Sequence, residues 1–147
     1  MRYFIEFAYN GKMYHGFQSQ PNAASVQETL ENALSVLLRQ KIAIVGAGRN
    51  DAGVHANQMF ALFDTENPIE PSKMVSKLNS FLPLSIVIYR IIAVENEAHA
   101  RFDAVARTYH YFIHTYKDAF LNDLSWHYSQ KIDLEKMNEA SKILLQY

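Results

Sequence analysis

The order of apolar and polar positions divides the first part of the chain into alternating strands and helices. Residues 2–9 are aromatic and β-branched with loose alternation, which predicts a strand that ends at an Asn10-Gly11 turn. Ser25 and Glu28 have the spacing of a capping box and predict the start of a helix. Apolar residues follow at helical spacing and define its buried face: Val26, Leu30, Ala33, Leu34, Leu37 and Leu38.

Two apolar runs, 42–45 and 54–63, then predict a pair of strands on either side of a glycine-rich stretch. Pro71 suits the first turn of a short helix that stops at Leu82-Pro83. Its core-facing residues are predicted to be Met74, Leu78 and Phe81. Residues 86–94 predict a fourth strand. This order is the split βαβ unit, so we expect an α+β, ferredoxin-like antiparallel sheet with helices on one face.

The remaining residues predict only part of a second such unit. Residues 107–113 alternate as a strand, with Tyr109, Tyr111 and Ile113 on one face. Asp133 is predicted to cap a helix whose inner face carries Leu134, Met137, Ala140, Ile143 and Leu144. We therefore divide the chain into a domain of residues 1–103 and the start of a second, incomplete half at 104–147.

Composition excludes several classes of site. The 147 residues contain no cysteine, so disulfides and thiolate metal sites are excluded. The six histidines are scattered and lack the paired spacing of metal ligands, so we predict no metal site. No apolar run approaches the roughly 18 residues of a membrane span. The net charge of −1 lacks the basic excess common in nucleic-acid-binding proteins, although Arg49, Arg101 and Arg107 all lie in candidate motifs.

The glycine-rich stretch between the two middle strands carries the candidate chemistry. Residues 46–53 contain three glycines, and Arg49-Asn50-Asp51 lies among them. A carboxylate close to an arginine suits a site that must hold one ionised oxygen in place, because the arginine would lower the aspartate pKa by roughly 1–3 units. An aspartate in a glycine-rich turn can instead simply bond its own backbone as an Asx-turn. Composition leaves both interpretations open.

The length and order of this stretch add a resemblance. Gly46–Ala56, with the sequence Gly-Ala-Gly-Arg-Asn-Asp-Ala-Gly-Val-His-Ala, resembles the signature of the tRNA pseudouridine synthase A family. Asn50 stands where the family motif has threonine. The resemblance implies that Asp51 is the catalytic nucleophile and that Arg49 shapes the substrate site.

Three further segments carry the same resemblance. His99–Phe102, with the sequence His-Ala-Arg-Phe, is similar to a family element that contacts tRNA, and residues 14–21 resemble an element near the RNA. Arg107–Tyr111 resembles an Arg-x-Tyr-x-Tyr element whose first tyrosine, here Tyr109, contacts the target base. The residues that the resemblance assigns to RNA contact are His99, Arg101, Phe102 and Arg107. Taken singly, these segments are more typical of a surface connector, a surface loop and a core tyrosine.

The family resemblance implies an isomerase with the pseudouridine synthase fold. Such an enzyme converts uridine to pseudouridine in the anticodon stem-loop of tRNA, at positions thirty-eight to forty. It uses no cofactor and no metal, acts on tRNA as its partner in the cytoplasm, and forms a homodimer in its full-length form. The absence of a P-loop or a dinucleotide-binding fingerprint agrees with this chemistry.

Other functions remain open from the residues alone. The chain could be a non-catalytic module that binds an RNA stem-loop, or a glycosidase-like hydrolase that pairs Asp51 with a second acid. Family members continue for roughly another domain, so the resemblance covers their N-terminal portion. We therefore expect the 147-residue chain to fold but to be inactive on tRNA when it is studied alone.

Overall fold

The structure is a computed structural model that describes residues 1–146. The chain forms two compact units, Met1–Arg107 and Thr108–Tyr147. The first unit has the predicted order of strands and helices, with a short 3-10 helix, Gly11–Met13, after the first strand. Its elements are β1 (Arg2–Tyr9), α1 (Val26–Leu38), β2 (Ile44–Gly46), β3 (Ala56–Asp64), α2 (Pro71–Phe81) and β4 (Ile86–Val94).

The four strands form one sheet in the order β2-β3-β1-β4. Every neighbouring pair is antiparallel, and Ile5 in the centre of β1 lies between Ala61 of β3 and Ile91 of β4. Two helices that connect strands in this order produce the ferredoxin-like unit. The predicted fold class is therefore confirmed.

One face of the sheet packs against the two helices. Alternate residues of β1 point to that face and are buried: Tyr3, Ile5, Phe7 and Tyr9. The predicted core positions of both helices join the same cluster, except for Phe81, which is 53% exposed. That prediction is wrong because α2 ends at Phe81 and the chain becomes extended at Leu82, so Leu82 takes the buried position instead.

The helix starts follow the predicted capping chemistry. The Ser25 hydroxyl oxygen accepts a hydrogen bond of 3.2 Å from the Glu28 amide at the start of α1. Pro71 occupies the first turn of α2, where its missing N–H leaves no helical hydrogen bond unmade. Each cap satisfies or avoids an amide that the helix itself cannot pair.

The other face of the sheet buries a charged group. Glu6 of β1 is 7% exposed and accepts hydrogen bonds from Gln58 Nε2, at 2.6 Å, and from Arg90 Nε. Burial is the largest influence on the pKa of Glu6 and raises it, but the hydrogen bonds from Gln58 and Arg90 together with the charge of Arg90 outweigh burial. The pKa of Glu6 therefore lies below its ordinary value. Side chains from three neighbouring strands meet at this carboxylate, where Arg90 forms an ion pair and Gln58 a hydrogen bond.

The second unit contains little regular structure before its helix. A two-residue strand, β5 (Ile113–His114), pairs in parallel with β6 (Trp126–His127). The strand predicted over residues 107–113 is therefore wrong except at its last residue. Alternation alone does not make a strand, because the backbone groups must also pair. Among the described residues, 107–111 make no backbone hydrogen bond, and pairing begins at the Phe112 carbonyl oxygen, which accepts from the Trp126 amide.

The predicted helix of this unit is present as α3 (Leu134–Ile143), which is followed by a 3-10 turn at Leu144–Gln146. Asp133 Oδ1 accepts a hydrogen bond of 3.1 Å from the Lys136 amide, which confirms the predicted cap. The apolar face predicted to pack inward is instead exposed in the described chain: Leu134, Met137, Ala140, Ile143 and Leu144.

The buried carboxylate of the first unit gives a testable pH dependence. A carboxyl group whose pKa is lowered by folding stabilises the protein above its unfolded pKa, near 4.5, and loses that contribution as pH falls through the folded value. We expect Glu6→Gln to reduce the fall in unfolding free energy between about pH 7 and pH 3, measured by urea titration. Glu66→Gln removes an exposed carboxylate and is the control. An equal fall in the parent and Glu6→Gln would contradict this assignment.

Candidate active site

The glycine-rich motif forms the connection from β2 to β3, residues 47–55, which is called the Asp51 loop below. Asp51 is exposed, and within residues 1–146 its carboxylate accepts no hydrogen bond and forms no ion pair. It therefore does not act as an Asx-turn acceptor. Arg49 is also exposed, and the expected ion pair between Arg49 and Asp51 is absent from the described residues. Both oxygens of the carboxylate are left available.

The backbone of this loop, in contrast, is held on both sides of Asp51. The Phe17 amide donates to the Asn50 carbonyl oxygen at 3.0 Å, and the Gly53 amide donates to the Tyr14 carbonyl oxygen at 3.2 Å. The side chains of Tyr14 and Phe17 are both buried in the core. The loop is therefore tied to a segment that is itself anchored in the interior.

Two side-chain contacts add to these backbone bonds. Asn50 Nδ2 donates to the hydroxyl oxygen of Tyr9, the last residue of β1, at 2.6 Å. The Gly11 amide donates to Nδ1 of His55 at 2.9 Å. Asn50, which replaces the threonine of the family motif, thus connects the loop to the central strand. Its amide reaches further than a threonine hydroxyl would.

Close packing of main chain explains two of the glycines that follow β1. A Cβ atom on Gly11 would lie 2.0 Å from the Val54 carbonyl oxygen. Gly16 has a φ of +96°, and a Cβ atom there would lie 2.6 Å from the Asn50 carbonyl oxygen. Only glycine allows this backbone angle and this approach together. Gly16 is thus required where the two segments meet.

Arg107 contacts the start of the loop. Its Nε and Nη2 atoms donate to the Ala47 carbonyl oxygen at 3.0 and 2.7 Å, and Nη2 also donates to the Arg101 carbonyl oxygen at 2.7 Å. Three of the five N–H groups of the guanidinium are thereby directed at protein main chain. Arg107 therefore contacts the main chain of the unit that contains Asp51. Its predicted contact with RNA stays a prediction.

The three other residues predicted to contact RNA form one turn. The His99 amide donates to Asp103 Oδ2 at 2.7 Å, and the ring of His99 lies 4.3 Å from that of Phe102 between centroids. Ala100 is buried beneath them, while Arg101 is exposed and Phe102 is 77% exposed. The turn is therefore anchored through Ala100 and presents a cation and an aromatic ring to solvent.

Tyr109 belongs to the second unit, is 69% exposed and lies outside any strand. Its predicted contact with the target base stays a prediction. Among residues 1–146 there is no group of three or more histidine, cysteine, aspartate or glutamate side chains that could hold a metal ion. None of the helices in that range has the length and apolar character needed to cross a membrane.

Sequence reasoning missed the contributions of Tyr9, Tyr14 and His55 to this site. Alternation along β1 indicates only that Tyr9 faces the core, and it gives no reason to connect its hydroxyl with Asn50. The available signal was the glycines at 11 and 16, which lie between and beside these residues in the chain, because glycine permits the close approach of two backbones.

Comparison with known proteins agrees with the motif. A sequence model described as tRNA pseudouridine synthase matches residues 6–103. The protein named tRNA pseudouridine synthase A from Porphyromonas gingivalis is 50% identical to this chain, over 99% of the chain and 59% of its own length. The protein of the same name from Thermosipho africanus is 40% identical, over 97% of the chain and 59% of its own length. The relative from Parabacteroides distasonis is 50% identical over 99% of the chain and 58% of its own length. The chain spans less than two thirds of the length of these relatives.

The fit between Gly16 and the Asp51 loop can be tested with a matched pair of substitutions. Gly16 and Gly53 both have positive φ, but a Cβ atom on Gly53 would meet nothing within 4 Å. We expect Gly53→Ala to cost about 1 kcal/mol of unfolding free energy because of its backbone angle alone. Gly16→Ala should cost at least about 1 kcal/mol more, because the added methyl group overlaps Asn50. Urea unfolding of the two variants measures the difference, and equal costs would contradict the packing described.

Proposed function

The chain belongs to the tRNA pseudouridine synthase family, and on that premise we propose that it acts in converting uridine to pseudouridine in tRNA, with Asp51 as the nucleophile. The observation that carries this proposal is the contrast between the carboxylate of Asp51, unpaired within the described chain, and the hydrogen-bonded backbone on either side of it. Its carboxylate has no partner within residues 1–146, while the backbone on either side of it is hydrogen-bonded to the core segment at Tyr14 and Phe17. A reacting group needs this combination, because its lone pairs must be free and its position must be fixed.

The reaction is an isomerisation. The bond between uracil N1 and the ribose C1′ breaks, the base turns, and C5 of the uracil bonds to C1′ while the C5 proton is lost to N1 or solvent. Substrate and product have the same atoms, so the balance requires no oxidant, reductant or co-substrate. What the protein must supply is a base or nucleophile, a place for the uracil to turn, and exclusion of water that would hydrolyse the separated ribose.

Asp51 can meet the first requirement by three routes. It can attack the ribose carbon, attack uracil C6, or remove a proton from the ribose to give a glycal-like intermediate. All three require the ionised carboxylate to approach the nucleoside directly, which suits an exposed side chain without an ion pair. Arg49, two residues away and also exposed, is proposed to contact the substrate rather than to neutralise Asp51.

The base must leave its stack before any of these routes can begin. Flipping a uridine out of a stem costs a few kcal/mol, and stacking on an aromatic side chain can return about 1–3 kcal/mol. Tyr109 is proposed to supply this stacking face, and its 69% exposure leaves the ring accessible within the second unit.

RNA contact is proposed for the turn at residues 99–103. Exposed Arg101 can contact phosphate, and the paired rings of His99 and Phe102 offer a stacking face for an unpaired base. The family resemblance supports the anticodon stem-loop, with uridines at positions thirty-eight to forty, as the target. A homodimer in the full-length form and a cytoplasmic location are predictions that rest on the same resemblance.

The central test replaces Asp51. Asp51→Asn should abolish pseudouridine formation in an unmodified tRNA transcript, because an amide is neither a nucleophile nor a base, while tRNA affinity stays within about tenfold. The substitution is assayed in a chimera in which the chain replaces the matched part of the Porphyromonas gingivalis relative. The 147-residue chain, which is expected to be inactive when it is studied alone, is assayed beside it. Glu66→Gln removes an exposed acid outside the Asp51 loop and is the matched control. Normal turnover by Asp51→Asn would refute its role.

Product analysis separates the other functions in the same experiment. Release of free uracil would indicate a hydrolase that uses Asp51. Binding of tRNA with neither product, in the chimera as well as in the chain, would instead indicate a module that only binds an RNA stem-loop. Such binding should weaken steeply as salt concentration rises, because it depends on phosphate contacts.

A further inference from the structure

The start of the Asp51 loop is fixed at a single residue, Ala47. The Ala47 amide donates to the Phe60 carbonyl oxygen of β3 at 2.7 Å, and the Ala47 carbonyl oxygen accepts from Arg107 at 2.7 and 3.0 Å. The N–H side of Ala47 thus joins the sheet, while its C=O side depends on Arg107. The Ala47 amide is therefore the last main-chain group before Asp51 that, among the described residues, forms a hydrogen bond with the main chain of the sheet.

Beyond this point the loop has no main-chain support until Asn50. Among residues 1–146, Gly48 and Arg49 make no backbone hydrogen bond, and the next is the bond from Phe17 to Asn50. The side chain of Arg107 lies over Gly48, where an added Cβ atom would be 3.4 Å from Nε and 3.6 Å from Cδ of Arg107. Arg107 therefore holds the segment that immediately precedes Asp51.

We propose that Arg107 is a positioning residue for the reaction, which fixes the Asp51 loop through Ala47 and does not act mainly as a phosphate contact. This inference rests on the proposed function of Asp51. The planar guanidinium directs three N–H groups at two carbonyl oxygens, at Ala47 and Arg101. Lysine carries the same charge but lacks this fixed fork, so it is not an equivalent replacement.

The same contact joins the loop to the turn proposed to bind RNA. The Nη2 atom of Arg107 donates to Ala47 at the start of the loop and to Arg101 within the turn at residues 99–103. One guanidinium group thus links the backbone that presents Asp51 with the backbone that presents Arg101 and Phe102. RNA held by the turn would then be placed against a loop whose position is set by the same side chain.

The test compares Arg107→Lys, Arg107→Ala and Arg101→Ala in two measurements. The first is amide hydrogen exchange at Gly53 and Val54 in the 147-residue chain. The Gly53 amide donates to the Tyr14 carbonyl oxygen, and the Val54 amide donates to the Asp51 carbonyl oxygen. We expect both Arg107 variants to increase exchange there by at least about threefold, since a lost hydrogen bond makes local opening easier. The amide of Leu34 in α1 should exchange at the parent rate and is the internal control.

The second measurement is turnover of tRNA in the chimera. Loss of positioning should lower kcat by about tenfold or more in both Arg107 variants and leave KM within about twofold. Arg101→Ala keeps the carbonyl that Arg107 uses, so it should raise KM and leave loop exchange unchanged. This contrast separates a residue that holds the loop from one that holds the RNA.

Unchanged exchange at Gly53 and Val54 in both Arg107 variants would overturn the positioning role. The positioning role would also be overturned if Arg107→Ala raised KM without lowering kcat and Arg107→Lys had the parent KM. The positive charge alone would then be sufficient for the function of residue 107. Failure of the proposed function has a different signature, namely normal turnover by Asp51→Asn. In that case the exchange rates at Gly53 and Val54 would still show whether Arg107 holds the loop.

Discussion

The arrangement of the site depends on one constraint, which is that the backbone around Asp51 is hydrogen-bonded to the segment after β1 while its carboxylate is not. A carboxylate that pairs with an arginine or with backbone amides is well placed but poorly available. One on an unsupported loop is available but poorly placed. The bonds from Phe17 to Asn50 and from Gly53 to Tyr14 satisfy both needs, because they act on the neighbours of Asp51. This is the preorganisation that a reacting group requires.

The fold brings these two segments together. β1 and β3 are antiparallel neighbours, and Tyr9 at the end of β1 pairs with Ala56 at the start of β3. The segment that leaves β1 and the segment that enters β3 therefore lie at the same end of the sheet. The hydrogen bond between Tyr9 and Asn50 joins these segments across 41 positions in the sequence. A split βαβ topology produces this neighbourhood, and the glycines at 11 and 16 then let the two backbones touch.

The features that sequence predicted correctly are the local ones. Caps at Ser25 and Asp133, the apolar face of α1 and the strands β1 and β4 depend on residues a few positions apart, so their patterns are visible in the chain. The bond from Arg107 to Ala47 joins residues sixty positions apart and leaves no periodic trace. The strand expected at 107–113 failed for a related reason, since alternation describes side chains whereas a strand also needs a partner for its backbone. Motif resemblance made Asp51 the candidate nucleophile, but only the fold shows which contacts hold the backbone beside it.

The most direct measurement of the central claim is the backbone order of the free protein by NMR relaxation. If the Asp51 loop is held as described, order parameters for residues 48–54 should be about 0.85, like those of the central strand β1. The signal of Asp51 itself should be as ordered as that of its neighbours, despite its exposed side chain. Order parameters below about 0.6 across residues 48–54, with a rigid β1, would show a loop that is not fixed before substrate binds and would contradict the account.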